Sequence, residues 1–396
     1  MVKSDATIRT SDSSRANQPD VSVILPIYNA EPFLREALDS VVGQTHHNIE
    51  IICINDGSTD SSLDIMRGYA ARDSRIIIDD GPNGGYGKAM NRGINRARGE
   101  FIGILEPDDI VLSDMFETLI GIARRDNLDF VRADFNRFVK QENGTYSFTP
   151  VSICHDNHSL YNKVLNPQIM LSLLNVRMQN WTGIYRKAFL DKHNIRFHES
   201  PGARFQDNSF WFQTYCWATR VEYVDQPFYC HRDDNPNSST NRSDLMFAML
   251  DEWAWIRKYL EQFPDKESKL IKAFQHRKYH NCMFAFGKLA DELQLSYLER
   301  FSNEIRHAAD SDELDMNMFT YLERKKIRLL MESPEEFLDQ YRRDKVAKRT
   351  PSDLETARRN GRKALFSYYV RTEGVFRAFG HVLSHIFRRI FKSQTL

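Results

Sequence analysis

Three carboxylates crowd one short stretch of the chain, Gly103-Ile-Leu-Glu-Pro-Asp-Asp-Ile-Val111. Glu106, Asp108 and Asp109 follow the apolar run "FIGIL" directly, and the chain turns apolar again at Ile110. Such acids repel one another, and burial without a partner penalises each charge. Two arrangements relieve this. A hard divalent cation, Mn²⁺ or Mg²⁺, takes carboxylate oxygens and completes its shell with substrate phosphates. Alternatively, "DDIVLSDMFETLIGIA" begins a helix, and Asp108 or Asp109 caps its free N–H groups at the positive end of the dipole.

The glycine-rich stretch "DDGPNGGYGKAMN" invites a phosphate-loop reading, which fails on detail. The Walker pattern needs a glycine five residues before its final Gly-Lys, then Ser or Thr. Here Pro82 stands five before Gly87, and Ala89 follows Lys88. Lys88 near a helix start remains a candidate for a phosphate, or a solvated lysine on a turn.

The elements that carry these residues alternate. "VSVILPI" and "IEIICIND" read as buried strands, and "RIIID" and "EFIGIL" continue the series. "PFLREALDSVVGQ", "SLDIMRGYAAR" and "GGYGKAMNRGINRARG" read as helices between them. Alternation of this kind predicts an α/β fold, a mainly parallel twisted sheet with helices on both faces. Ligands of such sheets sit beyond the carboxyl ends of the strands. Four polar loops fall there: "PIYN", "NDGSTD", "DDGPNGG" and "EPDD". From about residue 241 the chain reads as helical to its end.

Bulk numbers narrow the class. The 396 residues suffice for a large core and more than one domain. Hydrophobic residues are 41% and charged residues 27%, ordinary for a soluble globular protein. Lys+Arg and Asp+Glu balance at 54 each, so no net positive charge points to nucleic acid. Five cysteines, an odd number without C-x-x-C spacing, argue against a disulfide framework or zinc cluster and predict a cytoplasmic location. Residues 1–20 are polar and read as a disordered leader, and no stretch reaches the roughly 20 apolar residues of a membrane span.

Two long stretches now carry a resemblance. "VSVILPIYNAEPFLREALDSVVGQTHHNIEIICINDGSTDSS" and "NGGYGKAMNRGINRARGEFIGILEPDD" resemble, in order and spacing, the N-terminal domain of family-2 glycosyltransferases with the GT-A fold. The match runs from about Val21 to Phe138 and, more loosely, to about Thr240. The resemblance implies a GT-A domain over 21–240, with a nucleotide-binding half (21–140) and an acceptor half (141–240), followed by a helical region over 241–396. It implies a metal-dependent, inverting transferase of hexosyl type, using Mn²⁺ or Mg²⁺ and a nucleotide-sugar donor, expected to be a UDP-sugar. Pro26, Tyr28 and Asp56 fall at the family's nucleotide positions, with Lys88 as a further donor contact. Asp108 falls at the metal position. Glu106 and Asp109 fall where the donor sugar and diphosphate are held. Asp207 in "RFQDNSFWF" falls at the general base, with Gln206 beside it on the acceptor side. The loop "YCHRDDNPNSST" implies His231, Arg232 and Ser238 as diphosphate contacts, and Trp181 lines the acceptor side. Chemistry agrees in part: a tyrosine offers a stacking face, and a carboxylate accepts from uracil N3–H. Four positions depart from the family pattern: Met90 stands where many members carry Arg, with Lys88 as the cation in its place, and three more are polar exchanges. Glu106 replaces its usual Asp, Asn55 a paired Asp, and Gln206 a Glu.

The tail is distinct. Residues 341–396 hold fourteen Lys/Arg against four Asp/Glu, an excess of ten. Over 374–392, "GVFRAFGHVLSHIFRRIFK" places apolar and aromatic residues on one helical face and Arg, Lys and His on the other. That suits the cytoplasmic face of a membrane or a protein partner, a second copy of the chain included. The reading is a transferase of cell-surface polysaccharide or glycoprotein glycans acting on a glycan or lipid-linked acceptor. Its rival is a non-catalytic nucleotide- or glycan-binding scaffold for a partner transferase.

Overall fold

The computed structural model describes residues 18–236 and 246–349. Most of the expected leader, Ser238 and the basic segment 374–392 lie outside the described residues.

The strand–helix alternation is present. It runs through β1 (Val21–Ile27), α1 (Leu34–Val42), β2 (Ile49–Asp56), α2 (Ser62–Ala70), β3 (Ile76–Gly81), α3 (Tyr86–Arg96) and β4 (Phe101–Ile104). Two residues, β5 (Ile110–Val111), precede α4 (Met115–Arg125), and the hairpin β6 (Phe130–Lys140) and β7 (Tyr146–Val151) follows. Then come β8 (Gly183–Arg186), α5 (Lys187–Lys192), α6 (Gln206–Trp217) and β9 (Val221–Arg232). The strands form one sheet in the order β3-β2-β1-β4-β8-β6-β9-β5, with β7 on β6. The β3-β2-β1-β4 half is wholly parallel, and β6 pairs with β9 in parallel. β8, β7 and β5 run antiparallel to their neighbours. The chain builds outward from β1 to β3 and then returns to place β4 on the other side of β1. That reversal opens a crevice at the carboxyl ends of β1 and β4.

The central strands follow from composition. Every residue of β1 and β2 is buried, as a strand covered on both faces requires. Pro26 lies inside β1, where a missing N–H should break a ladder. It does not, because of register. Leu105 N–H donates to the Ile24 carbonyl, so Ile24 and Pro26 both face β4. β4 ends at Ile104, opposite Ile24, and Pro26 faces no further strand residue there. In α1, Leu34, Ala37, Leu38 and Val41 are buried, the i, i+3, i+4, i+7 stripe read from sequence.

The chain divides between Thr320 and Tyr321 into two compact units. Helices α7 (Ala248–Glu261), α8 (Pro264–Phe286) and α9 (Gln294–Asp310) belong to the first. They are there because α6 is buried nearly all round, with large apolar residues Phe210, Trp211, Phe212, Tyr215 and Cys216 to cover. Such a helix needs cover on every side. Phe212 packs edge-on to Trp253 and Phe274, and Trp217 Nε1 donates to Tyr259 Oη at 2.7 Å. In the second unit, α10 (Tyr321–Glu332) and α11 (Pro334–Arg349) form a helical pair turning at Ser333, whose hydroxyl accepts from Glu336 N–H. Among the described residues no helix is long and apolar enough to cross a membrane.

Candidate active site

The three acids behave differently once folded. Asp109 is fully buried and fully used. Tyr229 Oη donates to its Oδ2 at 2.8 Å, Arg232 N–H donates to Oδ1 at 2.7 Å, and His231 Nδ1 lies 3.3 Å from Oδ2. Asp109 thus ties the end of β9 to the end of β4. Asp108 is partly exposed and accepts from Asn235 Nδ2 at 2.7 Å. Burial, then the Asp109 charge, raises its pKa. Glu106 accepts from Tyr86 Oη at 2.7 Å. Burial pushes its carboxyl up to about 8, against the Tyr86 hydrogen bond and helped by the charges of Asp108, Asp109 and Asp207. Burial thus favours its protonated form, which relieves part of the crowding. The helix-cap alternative for Asp108 and Asp109 fails: the chain after them forms β5, and α4 starts only at Met115.

Asp207 lies in the first turn of α6, partly exposed. Burial and then the charge of Glu252 raise its carboxyl to about 6. Its own charge is felt at both Glu106 and Tyr86, which puts it on the same crevice. The residue that starts the helix, Phe205, has φ 67°, a strained left-handed conformation for a bulky side chain. Gln206, expected on the acceptor side, is buried with its amide spent on the preceding loop. Its Nε2 donates to Ser200 Oγ at 2.8 Å and Gly202 O at 2.9 Å, and Arg204 N–H donates to its Oε1 at 2.6 Å. Gln206 therefore holds the loop that delivers Asp207.

The proposed nucleotide positions divide in the same way. Tyr28 is 52% exposed at the carboxyl end of β1, whereas Pro26 is buried inside the strand. The loop under Tyr28 is fastened to the loop after β2: Thr59 N–H donates to Asn29 Oδ1 at 2.7 Å, and Asn29 N–H to Ser58 Oγ at 3.1 Å. Asp56 is buried and accepts from Gly84 N–H and Gly85 N–H, both at 2.9 Å. It moulds the glycine loop, and only its remaining lone pairs are left for a base. Asp56→Ala would strand both donors and is expected to cost about 1–3 kcal/mol, read as a lowered denaturation midpoint. Asn55 bridges the same region, donating to Asp80 Oδ1 at 2.7 Å and accepting from Ser58 N–H at 3.2 Å. Lys88 is exposed on the first turn of α3.

At the end of β9, Arg232 is buried and its guanidinium is committed. Nε donates to the Asp108 carbonyl at 2.7 Å, and the Nη groups pair with Glu36 and Asp234. It clamps the acid strand end. For His231, burial opposes protonation, but Asp109, Asp108 and Asp233 outweigh it and raise the pKa. Trp181 is buried and stacks on Tyr229 with centroids 4.2 Å apart and on His231 at 5.3 Å. It braces the two residues that hold Asp109.

Three residues of the crevice escaped the sequence reading: Tyr86, Asn180 and Glu252. Burial, the Glu106 charge and the hydrogen bond to Glu106 drive the Tyr86 phenol well above its ordinary range, while the adjacent Asn180 amide works the other way. Glu252 is buried, with His198 Nδ1 2.7 Å from its Oε2. Their sequence signals were weak: "NGGYGK" drew attention to its glycines and lysine, "QNW" to its tryptophan.

Comparison with known proteins bears on the family and the fold. Residues 22–190 fit the model of "Glycosyl transferase family 2". EpsJ of Bacillus subtilis (strain 168), an uncharacterized glycosyltransferase, is 37% identical over 229 residues, 56% of this chain and 63% of EpsJ. YibD of Escherichia coli (strain K12), also an uncharacterized glycosyltransferase, is 30% identical over 244 residues, 58% of this chain and 69% of YibD. The chain belongs to glycosyl transferase family 2. It spans somewhat under two thirds of EpsJ's length. Among solved structures, S. aureus TarS residues 1–349 in complex with UDP-GlcNAc superpose with a TM-score of 0.61 at 20% identity, covering 82% of this chain and 92% of that one. The fold of this family member is thus GT-A, with several helices after the sheet.

The acids of this family 2 chain also bear on a divalent cation. Among the described residues no group of three His, Cys, Asp or Glu could hold a metal alone. Asp108 is a hard oxygen donor, partly exposed, whose charge is disfavoured by burial and by Asp109. A site of one carboxylate completed by substrate phosphates suits Mg²⁺ or Mn²⁺. The residues fit the ion on that condition.

Proposed function

We propose that the chain is an inverting glycosyltransferase moving a hexosyl group from a UDP-sugar to an acceptor hydroxyl. The observation that carries this is one crevice at the carboxyl ends of β1 and β4. It gathers Asp108, Glu106 and a general-base candidate, Asp207, whose carboxyl is raised to about 6. TarS, similar in fold, has been solved with UDP-GlcNAc, which supports a UDP donor. Tyr28 and Asp56 would receive the base, and Lys88 the phosphates. Asp108 would hold Mn²⁺ or Mg²⁺, which when bound neutralises charge growing on the departing diphosphate. Asp207 takes the acceptor hydroxyl proton as that oxygen attacks the anomeric carbon and the bond to the diphosphate oxygen breaks. Attack from the opposite face inverts the anomeric centre.

The acceptor in this reading is a glycan or lipid-linked glycan of a cell-surface polysaccharide or glycoprotein. The nucleotide-binding half is 21–140 and the acceptor half 141–240. The work is done in the cytoplasm, with the basic segment 374–392 resting on the membrane surface or on a second copy. Calorimetric titration with UDP, with and without Mn²⁺, tests the core of the proposal on the wild type and on Asp108→Asn. Metal-dependent binding that the substitution weakens at least tenfold is expected. Binding indifferent to both metal and substitution would remove the ion from the mechanism. No UDP binding at all would favour another nucleotide or the scaffold role.

A further inference from the structure

Asn180 is fully buried; its Oδ1 has no hydrogen-bond partner among the described residues, and its Nδ2 reaches only toward the Tyr86 hydroxyl. Other buried amides nearby are used. Asn91 is bonded at both ends to Phe197, and Gln213 donates to Arg196 O and Ser209 O. A buried amide atom without a partner carries an unrepaid desolvation penalty, and native proteins keep one where something else completes it. Its location says what. β8 runs antiparallel to β4, with Ile184 opposite Gly103. The turn Asn180–Thr182 that leads into β8 therefore stands just past the carboxyl end of β4, at the level of Leu105 and Glu106. The amide lies beside the Tyr86 hydroxyl, which donates to Glu106. The turn is also held rigidly: Tyr185 Oη donates to the Asn180 carbonyl at 2.8 Å, and Trp181 is stacked on Tyr229.

We propose that Asn180 is a specificity-determining residue whose carboxamide pairs with a hydroxyl of the transferred sugar. An amide offers one acceptor and two donors, and a sugar hydroxyl both gives and takes. Among acidic neighbours a neutral amide suits a neutral sugar ring. A sugar without that hydroxyl would leave the amide unpaired, which is how a site rejects an analogue strongly. This rests on the donor reading above.

Calorimetry on the full chain separates the two. UDP, UDP-glucose, UDP-galactose and UDP-GlcNAc are titrated with Mn²⁺ into wild type, Asn180→Ala and Asn180→Ser. The wild type should bind one UDP-sugar at least tenfold more tightly than UDP. Asn180→Ala should bind UDP as the wild type does but lose that preference, and Asn180→Ser, which keeps a hydroxyl, should retain part of it. An unchanged preference in both variants overturns the assignment. So does a wild type that binds no UDP-sugar better than UDP, or an equal loss of UDP and UDP-sugar in the variants, which marks a structural role. A wild type that binds UDP in no form overturns the donor reading itself.

Discussion

Asp207→Asn will lower kcat by about 10²–10⁴-fold, the range a positioned general base contributes, while leaving UDP affinity near the wild-type value. The wild-type kcat/KM will fall below a pH of about 6, because the acceptor proton needs an ionised Asp207. Glu252 raises that carboxyl through its negative charge. Glu252→Gln will therefore move the acidic limb to lower pH. A stability effect of opposite sign accompanies the loss of rate. The folded Asp207 binds its proton more tightly than the unfolded one, so between pH 3.8 and about 6 the folded state holds more protons. Stability then declines as pH rises through that window and stays lower above it. Asp207→Asn removes the charge and should gain about 1–2 kcal/mol at pH 7.5, and nothing below pH 3.5, after allowance for partial exposure. An Asp207→Asn protein that keeps wild-type turnover would end the base assignment.

Gly87→Ala will nearly abolish transfer without touching a substrate. A Cβ at Gly87 would lie 2.0 Å from the His198 carbonyl oxygen, a backbone atom that cannot rotate away. That contact belongs to a seam. Asn91, one turn on, bonds Phe197 through Nδ2 and Oδ1 at 2.9 Å each, and Tyr86 N–H donates to Gly202 O at 3.0 Å. The seam joins the helix carrying Tyr86 and Lys88 to the loop that ends in Gln206 and Asp207. Forcing it apart should cost about 2–3 kcal/mol and move Asp207 off its proton. The expected signature is a kcat loss of about 10²-fold in a protein that still melts cooperatively and still binds UDP. Gly121→Ala, where an added Cβ meets nothing within 4 Å, is the matched control.

Much of the frame was legible because its signals are local. Unbroken apolar runs flanked by polar turns mark strands buried on both faces, and β1, β2 and α1 fall where those patterns place them. The family was legible too, because a long ordered series of strand, loop and acid survives in one stretch of chain. Boundaries set by distant partners were less visible. The helices after residue 240 carry no mark saying that they cover α6; only the packing of Phe212 against Trp253 and Phe274 says so.

Residue types and spacing by themselves marked the acids after β4 and the loops after β1 and β2 as candidates for chemistry; the carboxylate at the start of α6 was marked only by the family resemblance. Tertiary structure decided how each is employed. It consumed Asp109, Arg232 and Gln206 as fasteners, and it set Asp207 near 6 and Glu106 near 8. It also left the Asn180 amide oxygen without a partner beside them. The reason is physical. Burial and hydrogen-bond partners come from distant segments, 120 residues away for Tyr229 on Asp109 and 196 for Arg232 on Glu36, and no local window of sequence contains both ends of such a contact.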